Sequence, residues 1–195
     1  MMMTINDYKE LFGTWEQAIG TVLSAFSATP SLINNKKIQN DLSLIGNAMQ
    51  ATGSAVVADM EEGLSFSKIG NQLQSVGSAV ALGGLILPVG DKTEDLLNFQ
   101  GNLLQALGSA VVIPDIFKSN HVTVEDVLNF QAALLQTIGS AMQGFAVKIE
   151  NAEKKQWVNL AGAWIQTVGA VLAALLLTKE FLDKEEQEYT DSLRT

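Results

Sequence analysis

The chain contains no cysteine. That removes a disulfide framework, a thiolate metal site and a cysteine nucleophile together, and leaves the compartment open. There is one histidine, His121, in the connection FKSNHVTVED, so neither a pair of histidine zinc ligands nor an H-E-x-x-H helix can be built. A Ser-His-Asp triad would need that same residue, and no Gly-x-Ser-x-Gly elbow is present to display a serine. His121 reads as an exposed loop residue.

Aromatic residues make up 7% and charged residues 17% of the chain, the latter below the roughly 25% of ordinary soluble domains. Basic residues are scarce, 12 against 21 acidic, for a formal net charge of −9. Nucleic acid and anionic headgroups, which attract Lys and Arg, are therefore not expected partners. The start, MMMTINDYKELF, lacks the basic-then-apolar order of a cleaved signal. The expected locations are the cytoplasm or a membrane.

What the chain does have is repetition. Its 195 residues, 47% of them hydrophobic, can supply a substantial core. They contain six gapless copies of one ten-residue pattern: GTWEQAIGTV from Gly13, GNAMQATGSA from Gly46, GNQLQSVGSA from Gly70, GNLLQALGSA from Gly101, AALLQTIGSA from Ala132 and GAWIQTVGAV from Gly162. The glutamines stand at 17, 50, 74, 105, 136 and 166, a period of about 30 residues, the size of a helix plus a loop.

The units read as helices. Pro30, Pro88 and Pro114 follow the first, third and fourth copies, where a helix must stop. Thr123-Val-Glu-Asp126 and Asp91-Lys-Thr-Glu94 read as capping boxes, and Asn151 as a cap with Glu153 in the first turn. Apolar residues recur at spacings of three to four, with no strand-like alternation. The expectation is an all-α, up-and-down bundle of six helices, with cores near 8–28, 41–58, 66–86, 94–113, 124–147 and 152–178. Gly83-Gly84 relaxes the end of the third helix. The bundle fills 1–178, and 179–195 forms a charged helical extension with Lys179–Asp183, Glu180–Lys184 and Lys184–Glu188 at i, i+4.

On a helical wheel, Asn98, Gly101, Gln105, Gly108 and Ser109 share one side, opposite Leu96, Leu103, Leu104, Leu107, Ala110 and Val111. Asn129, Gln136, Gly139 and Ser140 repeat this face in the fifth unit, and Asn159, Gly162, Gln166 and Gly169 in the sixth. Gln17 and Gly20, then Gly46, Gln50 and Gly53, then Gly70, Gln74 and Gly77 carry it in the first three, with Ser43 and Ser67 in the Asn place of the second and third. An ordinary surface helix puts Lys and Glu on its polar side; these helices do not. Ala132 in the place of a glycine indicates a need for a small residue, not a left-handed backbone. These Gly, Asn and Gln residues are the candidate packing or interaction sites.

Charge gathers in the connections, at Lys36 and Lys37, 59–62, 91–95, 115–126, 148–155 and from Lys179 onward. The charge-free runs between them, 69–90, 96–114, 127–147 and 157–178, approach the roughly 20 residues that cross a bilayer. Two arrangements follow. In water, the Leu, Ile and Val face forms the core, while the Gly/Gln/Ser face lies between helices or at an oligomer surface, suited to a second copy or a helical partner. In a bilayer, the apolar face meets lipid and the small polar faces meet one another. Basic residues at Lys68, Lys92, Lys118, Lys154 and Lys155 show no positive-inside bias. Trp157 after Lys154 and Lys155 suits an interfacial anchor; Trp15, Trp157 and Trp164 suit helix crossings equally.

No paired carboxylates recur among the copies, since Glu16 has no counterpart, and helical glycines make no phosphate cradle. No catalytic residue, cofactor or metal is expected. The copies GNAMQATGSA, GNQLQSVGSA and GNLLQALGSA resemble small repetitive helical proteins of unknown function from Bacillus-type bacteria. That resemblance implies a bacterial origin and the repeat organisation, and no activity. The chain reads as a non-enzymatic structural or interaction module, with a membrane-inserted bundle, pore or scaffold, as the alternative.

Overall fold

The structure is a computed structural model. It describes residues 4–61, 63–118 and 121–193; the first three residues of the N-terminal segment, Glu62 of its charge cluster, two residues of the His121 connection and residues 194–195 of the tail lie outside the described residues. The chain is all-helical: α1 (Ile5–Ser27), α2 (Lys36–Met60), α3 (Phe66–Ile86), α4 (Asp91–Val111), the single turn α5 (Ile113–Ile116), α6 (Val124–Ala146) and α7 (Ala152–Ser192).

Local chemistry sets these ends. Thr123 and Asp126 form a reciprocal capping box at α6, as do Thr4 and Asp7 at α1. Asn35, Ser65 and Asn151 accept from first-turn amides of α2, α3 and α7. The expected box at Asp91–Glu94 is absent: Gly90 is the cap, and both acids sit in the first turn, where they favour the helix dipole. Pro114 does not simply follow α4; it opens α5, the position where a missing N–H costs nothing. Truncating the α6 cap with Thr123→Ala should cost about 1 kcal/mol, lowering the thermal midpoint by about 2–4 °C for a chain of this size. Circular dichroism melting checks this, and an unchanged midpoint would contradict it.

The long helices alternate in direction and close into a ring. α1 packs on α2, α2 on α3, α3 on α4, α4 on α6, α6 on α7, and α7 back on α1. The closing seam is built from Ala18, Ala170 and Ala174 with Trp15 and Val171 beside them. Trp15 donates to Thr178 Oγ1 at 2.9 Å and Trp164 to Thr29 Oγ1 at 3.0 Å, so two of the three tryptophans are seam residues. Trp157 is 63% exposed. α7 continues without a break into the tail. There Lys184 pairs with Glu180 as expected, but Lys179 reaches Glu125 of α6 at 2.7 Å and Lys184 also reaches Asp7 of α1. The extension thus braces two neighbouring helices.

The interior corrects the reading in which leucine, isoleucine and valine make the core. The buried hydrophobic residues are alanines plus Val57, and the buried polar ones include Gln50, Gln74, Gln105, Gln136 and Gln166 with Ser54, Ser78, Ser109 and Ser140. Ile19, Ile45, Val76, Leu107, Ile138, Val168 and Leu175 are exposed instead. The cause is helix spacing: backbones held together through glycine leave no room inward for a leucine, so the branched side chains turn outward.

Candidate functional site

The motif builds three tight antiparallel pairs. Two glycines seven residues apart lie on one side of a helix, two turns from each other, and in an antiparallel partner the same two meet them in reverse order. A Cβ on Gly20 would stand 2.6 Å from Gly46 O, one on Gly77 2.6 Å from Gly101 O, and one on Gly108 2.5 Å from Gly70 O. One on Gly139 would stand 2.5 Å from Gly162 O, and one on Gly169 2.6 Å from Ala132 O. Gly13 and Gly53 oppose each other likewise. Among the described residues only Gly63 has a positive φ, so these positions are selected for size.

The glutamine follows from the same contact. The Cγ atoms of Gln50, Gln74, Gln105 and Gln136 lie against Gly20, Gly108, Gly77 and Gly169, within 2.7–3.0 Å of where a Cβ would be. Each aliphatic stem covers the partner's glycine and carries its amide toward the ring interior. There the amides join. Gln166 Nε2 donates to Gln105 Oε1 at 2.9 Å and to Gln50 Oε1 at 3.3 Å, while its Oε1 accepts from Gln143 Nε2 at 2.6 Å. Gln50 donates to Ser24 Oγ, and Gln17 Nε2 to Gln74 Oε1 at 2.5 Å. Every long helix contributes a side chain to these contacts.

On one side of this layer the ring opens into a vestibule of about 480 Å³. Its mouth lies at the end carrying the α1–α2, α3–α4 and α6–α7 connections. Gln50, Gln105 and Gln166 form the floor; Asn47, Asn98, Asn102, Asn159 and Gln143 are in the wall; Lys36, Asp95 and Lys155 stand near the mouth. Lys155 bridges to Asp95 at 3.3 Å, from α7 to α4. On the other side of the layer Ser54 packs without exposure; Ser78 and Ser140, on helices that run the opposite way, are as deeply buried on the vestibule side of their glutamines, and the Ser54 and Ser140 hydroxyls have no protein partner. The carboxylates whose acidity departs from normal include one at that far end. Burial alone would raise Asp115, but the Ser67 amide and the Lys118 ammonium beside it hold its carboxyl below the usual range.

The structure thus separates residues that share a motif place. Asn98 and Asn159, on α4 and α7, face the vestibule, whereas Asn129 on α6 lines a shallow groove near Lys179 at the opposite end. Helix direction explains this, since alternate copies run oppositely. Gln143 is absent from the motif and joins the layer nonetheless; it lies seven residues after Gln136, the heptad signal that would have disclosed it. Among the described residues no group of three or more His, Asp or Glu could hold a metal. Gln166→Leu should cost roughly 1–3 kcal/mol by leaving buried amides unpaired. Chemical denaturation reads the loss, and a neutral result would mean that the layer contributes no net stability.

Residues 8–174 match a family described as a family of unknown function (DUF6944). No curated protein and no solved structure matches the chain.

Proposed function

Since the chain belongs to this family of unknown function, we propose from its geometry that it is a non-enzymatic helical bundle spanning a lipid bilayer. The apolar outer face meets the acyl chains, and the ring encloses a polar interior closed by the glutamine layer. The observation that carries this reading is the burial pattern: among the described residues the fully buried side chains include glutamine, serine, threonine and alanine with Val57, while every isoleucine and leucine is half-buried or exposed. In water that arrangement leaves exposed much apolar surface whose burial drives folding. In lipid, small residues and interhelical amides are what hold helices together.

Dimensions support it. The 21 residues of α3 or α4 rise about 31 Å, close to the roughly 30 Å hydrocarbon core. Charges lie toward the helix ends, apart from Glu16, which is half-buried and accepts from Thr52 Oγ1 at 2.6 Å. Trp157 stands exposed beside Lys154 and Lys155 at one edge of the apolar band, the place of an interfacial aromatic. Among the described residues only Asp91–Ile116 and Ala152–Ser192 are apolar enough to qualify as spans by themselves. The other helices are diluted by Gln, Asn, Ser and Gly that ring closure withdraws from the surroundings. Self-association in water is the second reading, and the outward side chains weigh against it, because they surround the ring where a single interface would occupy one side.

Fractionation of the untagged protein tests the proposal. Carbonate-resistant, detergent-extractable protein is expected. Recovery as a defined soluble species would overturn it and favour self-association.

A further inference from the structure

We propose that the vestibule is a binding site for a neutral, hydroxyl-rich small molecule of the sugar or polyol class. Its volume of about 480 Å³ falls in the range of small-molecule sites, roughly 300–1,000 Å³. Most such sites are walled mainly by apolar side chains. Here the wall carries amides from α2, α4, α6 and α7, and the floor is three more amides from Gln50, Gln105 and Gln166.

The chemistry of those groups selects the ligand. An apolar molecule would strip water from the amides and return no hydrogen bond, a penalty of roughly 1–3 kcal/mol for each group. A cation would find no surplus of negative charge and an anion only Lys36 at the rim, because Lys155 and Asp95 neutralise each other at the mouth and the floor has no ionisable group. A carboxamide both donates and accepts, as a hydroxyl does, so a polyol can satisfy wall and ligand together. Two wall amides are also uncommitted: Asn98 and Asn159 are half-buried and make no side-chain hydrogen bond within the described residues. Asn47 and Asn102, by contrast, donate to carbonyls one turn back on their own helices, Ser43 O and Asn98 O. The free pair comes from α4 and α7, on two sides of the ring, and so can grip a ligand from both. This inference does not depend on whether the bundle sits in lipid.

The test is calorimetric titration of the full-length protein, in detergent or buffer according to its fraction, with glycerol, glucose and sucrose, and with inorganic phosphate and benzene as charged and apolar comparators. Saturable binding of at least one polyol is expected, weakened tenfold or more by Asn98→Leu and by Asn159→Leu. Those substitutions leave the internal hydrogen bonds intact, and circular dichroism confirms their fold. Asn129→Leu, at the opposite end, should bind as the parent does. The proposal is overturned if no polyol saturates, if phosphate or benzene binds more tightly, or if both vestibule variants bind the polyol unchanged.

Discussion

Gly139→Ala should destabilise the bundle by about 2–3 kcal/mol, and Gly139→Leu by more, although both sit in the middle of a helix where alanine normally helps. A Cβ there would lie 2.5 Å from Gly162 O and also against the backbone of Gln166. Backbone cannot rotate away as a side chain can, so α6 and α7 must separate, and overpacking of this kind costs roughly 1–3 kcal/mol or more. Gly108→Ala should behave alike, meeting Gly70 O at 2.5 Å and Gln74 N at 2.9 Å. Gly83 provides the contrast. A Cβ there meets only Leu87 Cδ1 at 3.8 Å, so Gly83→Ala should stabilise by roughly 0.5–1 kcal/mol, the ordinary helix preference. Denaturant midpoints of the three alanine variants decide the matter. If all three shift alike, the close-approach account of the motif is wrong.

The second large effect concerns the outside. Ile19, Val76, Leu107, Ile138 and Val168 occupy one motif position, just before the second glycine, and are 42–55% exposed. In a bilayer, Leu107→Arg or Val168→Arg places a cation near mid-span, at about 2.5–3.5 kcal/mol each on the insertion scale. The expected result is loss of carbonate-resistant protein for the double variant, with the single variants intermediate. At a water-exposed site the same changes stay within about 0.5 kcal/mol. Variants that fractionate and melt like the parent would therefore sink the bilayer proposal without touching the vestibule.

Several elements were legible because their causes are local. Thr123 to Asp126 and Asn151 announce helix starts through side chains that reach amides two or three residues away, and Pro88 ends α3 through its own ring. Asp91 misled for an equally local reason, since an acid suits both a cap and a first turn. The outward placement of Leu107 and the inward placement of Gln105 could not be read this way. The wheel separates the two faces, but both lack charge, and charge is what ordinarily tells a surface from a core.

The sequence by itself determined that there would be six long helices, that each would carry a small, uncharged Gly and Gln face opposite an apolar one, and that charge would gather near the ends. Periodicity, caps and breakers are properties of neighbouring residues. Only the tertiary structure decided that Gly20 meets Gly46 and Gly139 meets Gly162, that α7 closes the ring on α1, and that Asn98 and Asn159 share a vestibule from which Asn129 is excluded. Those relations depend on the direction and partner of each helix. The six copies are nearly alike, so no single copy encodes which other copy it will face.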